Sequence, residues 1–266
     1  MRFGCCGSMI SPSADPVGVD IVESLAEAGF DYIELSLRDL VKLDDRAFSE
    51  IGRRVERSGI RAEACNNFFP PDLRLTGADA RPSAALDYAR KAMDRAARLG
   101  VRVIVFGSAE ARNVPRGFSG QEAWKQLVEL LANMGPIARR FGVAVAVEPL
   151  NPLESNIINL GAEALRLVRE VNEPGVELLL DYYHLGIQRE DEEIVLQAGP
   201  ALGHVHFAKV LGRTFPEVTD NASLRFFSFL KRASYSGRCS IEAYTKDFEI
   251  DSRRALSVLK ELEKRA

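Results

Sequence analysis

Four side chains with metal-ligating chemistry stand at or near the ends of short apolar runs. Glu148 ends Val143-Ala144-Val145-Ala146-Val147-Glu148 and Asp181 ends Leu178-Leu179-Leu180-Asp181. His206 lies in His204-Val205-His206-Phe207, and Glu242 in Ser240-Ile241-Glu242-Ala243. A charge that finishes a buried strand is costly to bury alone, and a shared cation removes that cost. Three carboxylates and one imidazole form a donor set for Mn2+, Mg2+ or Co2+, and Zn2+ can also use it. Any one of the four reads more simply as a cap or a salt bridge. Four on successive strands, at one height, read as one site. Such a site has a definite chemistry. A cation that grips a carbonyl oxygen and the neighbouring hydroxyl stabilises the enediolate formed when the intervening carbon loses its proton. A carboxylate on one side removes that proton, and one on the other side returns a proton to the opposite face. Glu148 and Glu242 are the candidate pair.

The elements that must position these residues follow one repeating pattern. An amphipathic helical stretch ends near glycine and a short apolar run follows. It appears in Glu27-Ala28-Gly29-Phe30, Arg57-Ser58-Gly59-Ile60, Arg98-Leu99-Gly100-Val101 and Arg140-Phe141-Gly142-Val143. It recurs in Glu173-Pro174-Gly175-Val176, Ala201-Leu202-Gly203-His204 and Tyr235-Ser236-Gly237-Arg238. Each glycine marks a helix end or tight turn before a strand. The strands expected are Arg2–Cys6, Tyr32–Leu35, Ile60–Cys65, Val101–Phe106, Val143–Glu148, Val176–Asp181, His204–Ala208 and Cys239–Ala243. Their continuous apolarity suits parallel strands covered on both faces. Helices are expected near Val17–Ala28, Asp44–Ser58, Ser83–Leu99, Gln121–Phe141, Ala162–Val171, Glu190–Ala198, Ala222–Ala233 and Ser252–Lys264. Eight alternations point to an α/β fold, a closed (β/α)8 TIM barrel rather than an open sheet. Long connections at Gly7–Pro16, Asn66–Pro82, Gly107–Gly120, Pro149–Gly161 and Lys209–Asn221 would gather at the C-terminal mouth, where this fold builds its sites. No linker divides the chain, so one domain is expected over residues 1–266.

Composition narrows the functional classes. The chain has 266 residues, 46% hydrophobic and 27% charged, with a net charge of −3. No basic face is implied, which argues against nucleic acid. No apolar run approaches the roughly 20 residues of a membrane span. The four cysteines, Cys5, Cys6, Cys65 and Cys239, contain no CxxC pair, and a reduced cytoplasmic setting is expected.

At this level of detail the chain resembles the xylose-isomerase-like barrels, particularly the D-tagatose/D-psicose 3-epimerase branch. The resemblance spans most of the chain. It rests on Glu148-Pro149-Leu150-Asn151, Asp181-Tyr182-Tyr183-His184, His204-Val205-His206 and Ile241-Glu242. It implies one divalent metal, commonly Mn2+, on Glu148, Asp181, His206 and Glu242, with the two glutamates as acid and base. It also implies sugar contacts from Glu154, His184 and Arg213, and a dimeric or tetrameric assembly. The activity expected is that of a ketose 3-epimerase. An inosose-dehydratase-type lyase and a hydroxypyruvate-type aldose–ketose isomerase are the alternatives on the same metal. A phosphodiesterase like endonuclease IV needs many histidines, and this chain has three. A non-catalytic sugar-binding barrel has no use for the carboxylate pair.

Other residues carry weaker signals. His184 is expected in the loop after strand six. His204 shares a strand face with His206 and reads as a supporting or core histidine. Glu34 could orient a binding group or form a salt bridge. Asn66-Asn67-Phe68-Phe69-Pro70-Pro71 reads as a lid or as a loop packed on the rim. Arg112, Arg116 and Lys209 read as solvated loop charges before phosphate receptors. Cys65, Cys5, Cys6 and Trp124 read mainly as packing.

Overall fold

Eight short strands give the chain its frame: β1 (Arg2–Cys6), β2 (Tyr32–Ser36), β3 (Arg61–Asn66), β4 (Val103–Phe106), β5 (Ala144–Val147), β6 (Val176–Asp181), β7 (Leu202–Phe207) and β8 (Arg238–Ile241). In the computed structural model, which describes residues 1–10 and 14–266, they pair in parallel and in sequence order. The ring closes where β1 meets β8, from Arg2↔Arg238 to Cys5↔Ile241. Part of the expected Gly7–Pro16 connection lies outside the described residues. Among the described residues, no helix is long and apolar enough to cross a membrane.

The two-residue period of a strand explains why the polar side chains converge. Val145 and Val147, Leu178 and Leu180, Val205 and Phe207, and Cys239 and Ile241 belong to the outer core against the helices. Their alternates face inward. Tyr32, Ala64, Val103, Val105, Ala146 and Leu179 form a separate inner core. One step further toward the C-terminal ends, the same parity presents Glu34, Glu148, Asp181, His206 and Glu242, all buried.

Two register shifts tune that parity. Leu178 pairs with Leu202 and Leu179 with His204, so Gly203 is an extra residue in β7. The sequence places Gly203 in a turn; it is instead a bulge inside the strand, which re-aims His204 and His206. A side chain there has no room, since a Cβ would lie 1.8 Å from Glu177 Oε2. On β2 and β3, Ile33 pairs with Ala62 and Glu34 with Ala64, which brings Asn66 level with Ser36 at the mouth.

The helices follow from capping and apolar faces. Helix Asp45–Ser58 starts where Asp44 accepts the Ala47 amide at 2.7 Å and stops at Gly59, φ 85°. Helix Gly120–Phe141 runs from the Ser119 cap to Gly142. Two expectations need correction. The first helix begins at Val22 rather than Val17, because Gly18 adopts φ 88° and its backbone abuts Gly7. The Glu190–Ala198 stretch yields only Ile194–Ala198, and helix Tyr182–Gln188 springs directly from β6 before it. Arg189, at φ 53°, separates the two. Short helices at Leu37–Lys42 and Ala109–Arg112 occupy connections read as irregular.

Candidate active site

The barrel mouth brings together the four residues singled out by strand-end position. Glu148, Asp181, His206 and Glu242 each offer a ligand atom, all within 4.8 Å of one another, and all four residues are buried. Carboxylates this close repel by about 4 kcal/mol per pair at an effective dielectric of about 20, so the cluster needs positive charge. The protein supplies part of it. His206 Nδ1 lies 3.2 Å from both Glu148 Oε1 and Glu242 Oε2. Arg213 Nη2 lies 2.5 Å from Glu242 Oε2 and 3.5 Å from Asp181 Oδ2.

The residues fit a divalent cation on their donor chemistry. Second polar atoms are pinned by the protein, which leaves the others free to converge. Asp181 Oδ1 caps the following helix by accepting the Tyr183 amide at 2.9 Å. Glu242 Oε1 accepts from Asn66 Nδ2 at 3.1 Å. His206 Nε2 is paired to Glu34 Oε1 at 3.1 Å. Oxygen and imidazole donors without sulfur suit a hard or borderline ion.

The two glutamates sit in unlike surroundings. Burial and the neighbouring Glu242 charge push the Glu148 carboxyl up. Burial works the same way on Glu242, but the His206 and Arg213 charges outweigh it and hold that carboxyl well below the usual range. Burial opposes charge on His206 too, yet Glu242 and Glu34 raise it well above an ordinary imidazole. Environments that drive two carboxyls apart are a feature of acid–base pairs.

His184, expected in a loop, occupies the first turn of helix Tyr182–Gln188. Its Nδ1 accepts the backbone amide of Asn151 at 3.2 Å. A backbone N–H can only donate, so that bond places the ring proton on Nε2. Nε2 is buried, has no hydrogen-bond partner among the described residues, and lies 3.6 Å from Asp181 Oδ2. It is a spare donor beside the carboxylate cluster. Arg213 comes from the loop after β7, its guanidinium 4.7 Å from the Tyr183 ring centroid. Its backbone is held by the Tyr244 amide at 2.8 Å and by a bridge between Lys209 and Thr214. Glu154 is exposed at the rim, where its Oε1 accepts from Asn151 Nδ2 at 2.9 Å and lies 3.4 Å from Arg213 Nη1.

A cavity of about 510 Å³ opens beside the cluster, bounded by the connections that follow β1 to β5, β7 and β8. Glu148, Glu154, Arg213 and Glu242 line it, together with Asn66, Phe69 and Gly107. Phe68 and Phe69 are buried, and Phe69 packs edge-on to Phe106 at 5.9 Å. That loop is therefore rim packing that also walls the cavity. Gly107 is needed there, because a Cβ would come 2.4 Å from Glu148 Oε2. Gly107→Ala should leave the fold intact, since the clash meets only the tip of a side chain. Displacing that carboxylate should lower turnover by about 10²-fold. Circular dichroism and steady-state kinetics check this, and wild-type turnover in G107A would show that the Glu148 carboxylate can move freely.

Other expectations resolve differently. Arg112 is not a solvated loop charge. It is fully buried, donates from Nη1 to the Phe106 carbonyl at 2.8 Å, and leaves Nε and Nη2 unpartnered. Burial pushes its guanidinium down to about 10. Lys209 is paired with Asp220, and Arg116 is exposed. Cys5, Cys6, Cys65 and Cys239 are free and buried. Trp124 donates to Glu170 on the outside of the barrel. The sequence reading passed over Asn66, Asn151 and Tyr183, which hold Glu242, His184 and Arg213. Asn66 ends β3 as Glu148 and Asp181 end their runs, so extending the strand-end test to uncharged residues would have found it.

Comparison with known proteins places this geometry. The ketose 3-epimerase of Arthrobacter globiformis is 26% identical over 253 residues, covering 92% of this chain and 84% of that protein. The L-ribulose 3-epimerase of Methylomonas sp. (strain DH-1) is 28% identical over 228 residues, covering 85% and 78%. A crystal structure of the D-allulose 3-epimerase from Methylomonas sp. superposes with a TM-score of 0.87 at 25% identity, covering 98% of each chain. The family model described as xylose isomerase-like TIM barrel matches residues 22–262, and the chain belongs to that family.

Proposed function

We propose that this protein is a metal-dependent ketose 3-epimerase that moves the proton at C3 of a free ketose. The observation that carries the reading is the placement of Glu148 and Glu242. They stand at the ends of β5 and β8, share His206 Nδ1 at 3.2 Å each, and both line the cavity. The two similar proteins named above are 3-epimerases, which supports the same carbon.

A divalent cation bound by Glu148, Asp181, His206 and Glu242 supplies positive charge that favours loss of a proton from carbon beside a carbonyl. Mn2+ is the ion proposed. The remaining work belongs to the protein. One glutamate carboxylate accepts the C3 proton and the other returns a proton to the opposite face. Arg213 keeps Glu242 ionised, and with Glu154 it holds sugar hydroxyls at the rim. His184 Nε2–H donates to a substrate oxygen in its tautomer set by Asn151. Phe69, which lines the cavity with Phe68 packed beside it, limits water at the reacting carbon. The ring of strands is read as one domain over residues 1–266, and the enzyme as a cytoplasmic homo-oligomer, with four free cysteines suiting a reducing compartment.

A screen of ketoses with Mn2+-loaded protein, each with and without phosphate, tests the reading. Equilibration of a free ketose with its C3 epimer is the expected result. An unsaturated product would make the protein a dehydratase, and no turnover of any ketose would leave the reading without its activity.

A further inference from the structure

We infer that Glu34 is a positioning residue that decides which nitrogen of His206 faces the metal. The inference rests on the proposed metal reading and adds a residue outside the four ligands.

His206 stands between two groups of ligand-type atoms. On its Nδ1 side are Glu148 and Glu242, each 3.2 Å away. On its Nε2 side is Glu34, and Cys6, Glu34 and His206 also bring ligand atoms within 4.8 Å of one another. The ring could therefore serve either side. Glu34 Oε1 lies 3.1 Å from Nε2 and, as a carboxylate, can only accept. That bond keeps a proton on Nε2, so Nδ1, between the two glutamates, is the nitrogen that gives up its proton when a cation binds.

Glu34 is itself held in place by two further side chains. Its Oε2 accepts from Ser240 Oγ at 2.5 Å and from His204 Nε2 at 3.0 Å. Ser240 Oγ spends its hydrogen on Glu34, so Tyr32 Oη, 2.7 Å away, must donate to Ser240. Tyr32, Glu34, His204, His206 and Ser240 are each 0% exposed, so water cannot replace any link. Donors from Tyr32 through Ser240 on one side and from His206 on the other thus converge on Glu34, which ties the metal-facing ring to this buried network. Partners of this kind commonly contribute 10–100-fold to metal affinity.

The test is a Co2+ titration of purified, folded protein, followed by the cobalt visible spectrum, with histidine-selective 15N NMR alongside. Wild type should bind one Co2+ and show a protonated Nε2 on His206. Glu34→Ala should weaken Co2+ by about 100-fold and lose the protected Nε2–H signal. Glu34→Gln keeps an acceptor oxygen in a side chain of the same size, so it should fold and lose only about 10-fold. Unchanged Co2+ affinity in the folded glutamine and alanine variants, with only a lower melting temperature, would make Glu34 a structural residue and overturn the inference. A wild type that protonates Nδ1 alone would also overturn it. A wild type that binds no Co2+ would overturn the metal reading itself.

Discussion

Glu148→Gln and Glu242→Gln should each lower turnover by about 10²-fold or more, with metal content brought to the wild-type level. Glutamine keeps the size of the side chain and an oxygen for the cluster, but an amide can neither take nor return a proton at this chemistry's pH. Size matters at Glu148, whose Oε2 rests against the bare Cα of Gly107. At Glu242 the amide can still pair with Asn66 Nδ2, now 3.1 Å from Oε1. Loss of turnover in both variants therefore reports proton transfer rather than collapse of the site. Metal analysis and kinetics on the same samples make the comparison. Near-normal turnover in either metal-loaded variant contradicts the paired-glutamate assignment.

The second large effect concerns the cation. Dialysis against a chelator should abolish turnover, and Mn2+ should restore it. Asp181→Asn and His206→Ala should raise the metal dissociation constant by at least about 10²-fold, the upper end of what outer partners contribute. Asp181→Asn keeps an oxygen to cap the Tyr183 amide, so its defect should be confined to charge and ligation. Excess Mn2+ should recover much of its turnover but none in the glutamine variants. Calorimetric titration gives the affinities. Wild-type affinity in both ligand variants, or full activity after chelation, would remove the metal from the mechanism.

The barrel was legible because its signals are local. Glycine after an amphipathic stretch and a short apolar run before a polar residue recur in register along the chain. All eight expected strands overlap β1 to β8, with ends displaced by no more than two residues. The clustering of three carboxylates and a histidine was legible for a related reason. Inward parity and strand-end position are both one-dimensional properties, and they suffice to bring Glu148, Asp181, His206 and Glu242 together. What stayed hidden depends on packing between segments distant in sequence. Gly203 reads as a turn residue, and only the pairing of β6 with β7 shows it to be a bulge. Arg112 reads as a loop charge, and only the fold of that loop over Phe106 buries it. Glu34 could be suspected of orienting a neighbour, but its partners His204, His206 and Ser240 lie more than a hundred and fifty residues away. Helix Tyr182–Gln188 was missed because the tyrosines and His184 that compose it carry little helix propensity, and the Asp181 cap alone marks its start.

The central claim is that the paired glutamates exchange the proton on C3. Mn2+-loaded enzyme incubated with a free ketose in D2O, with the sugar followed by NMR, tests it most directly. The account predicts deuterium at C3 of both the recovered ketose and its C3 epimer, and none at C1. Exchange confined to C1 together with an aldose product would contradict it, because the proton would then move between C1 and C2 and the protein would be an aldose–ketose isomerase.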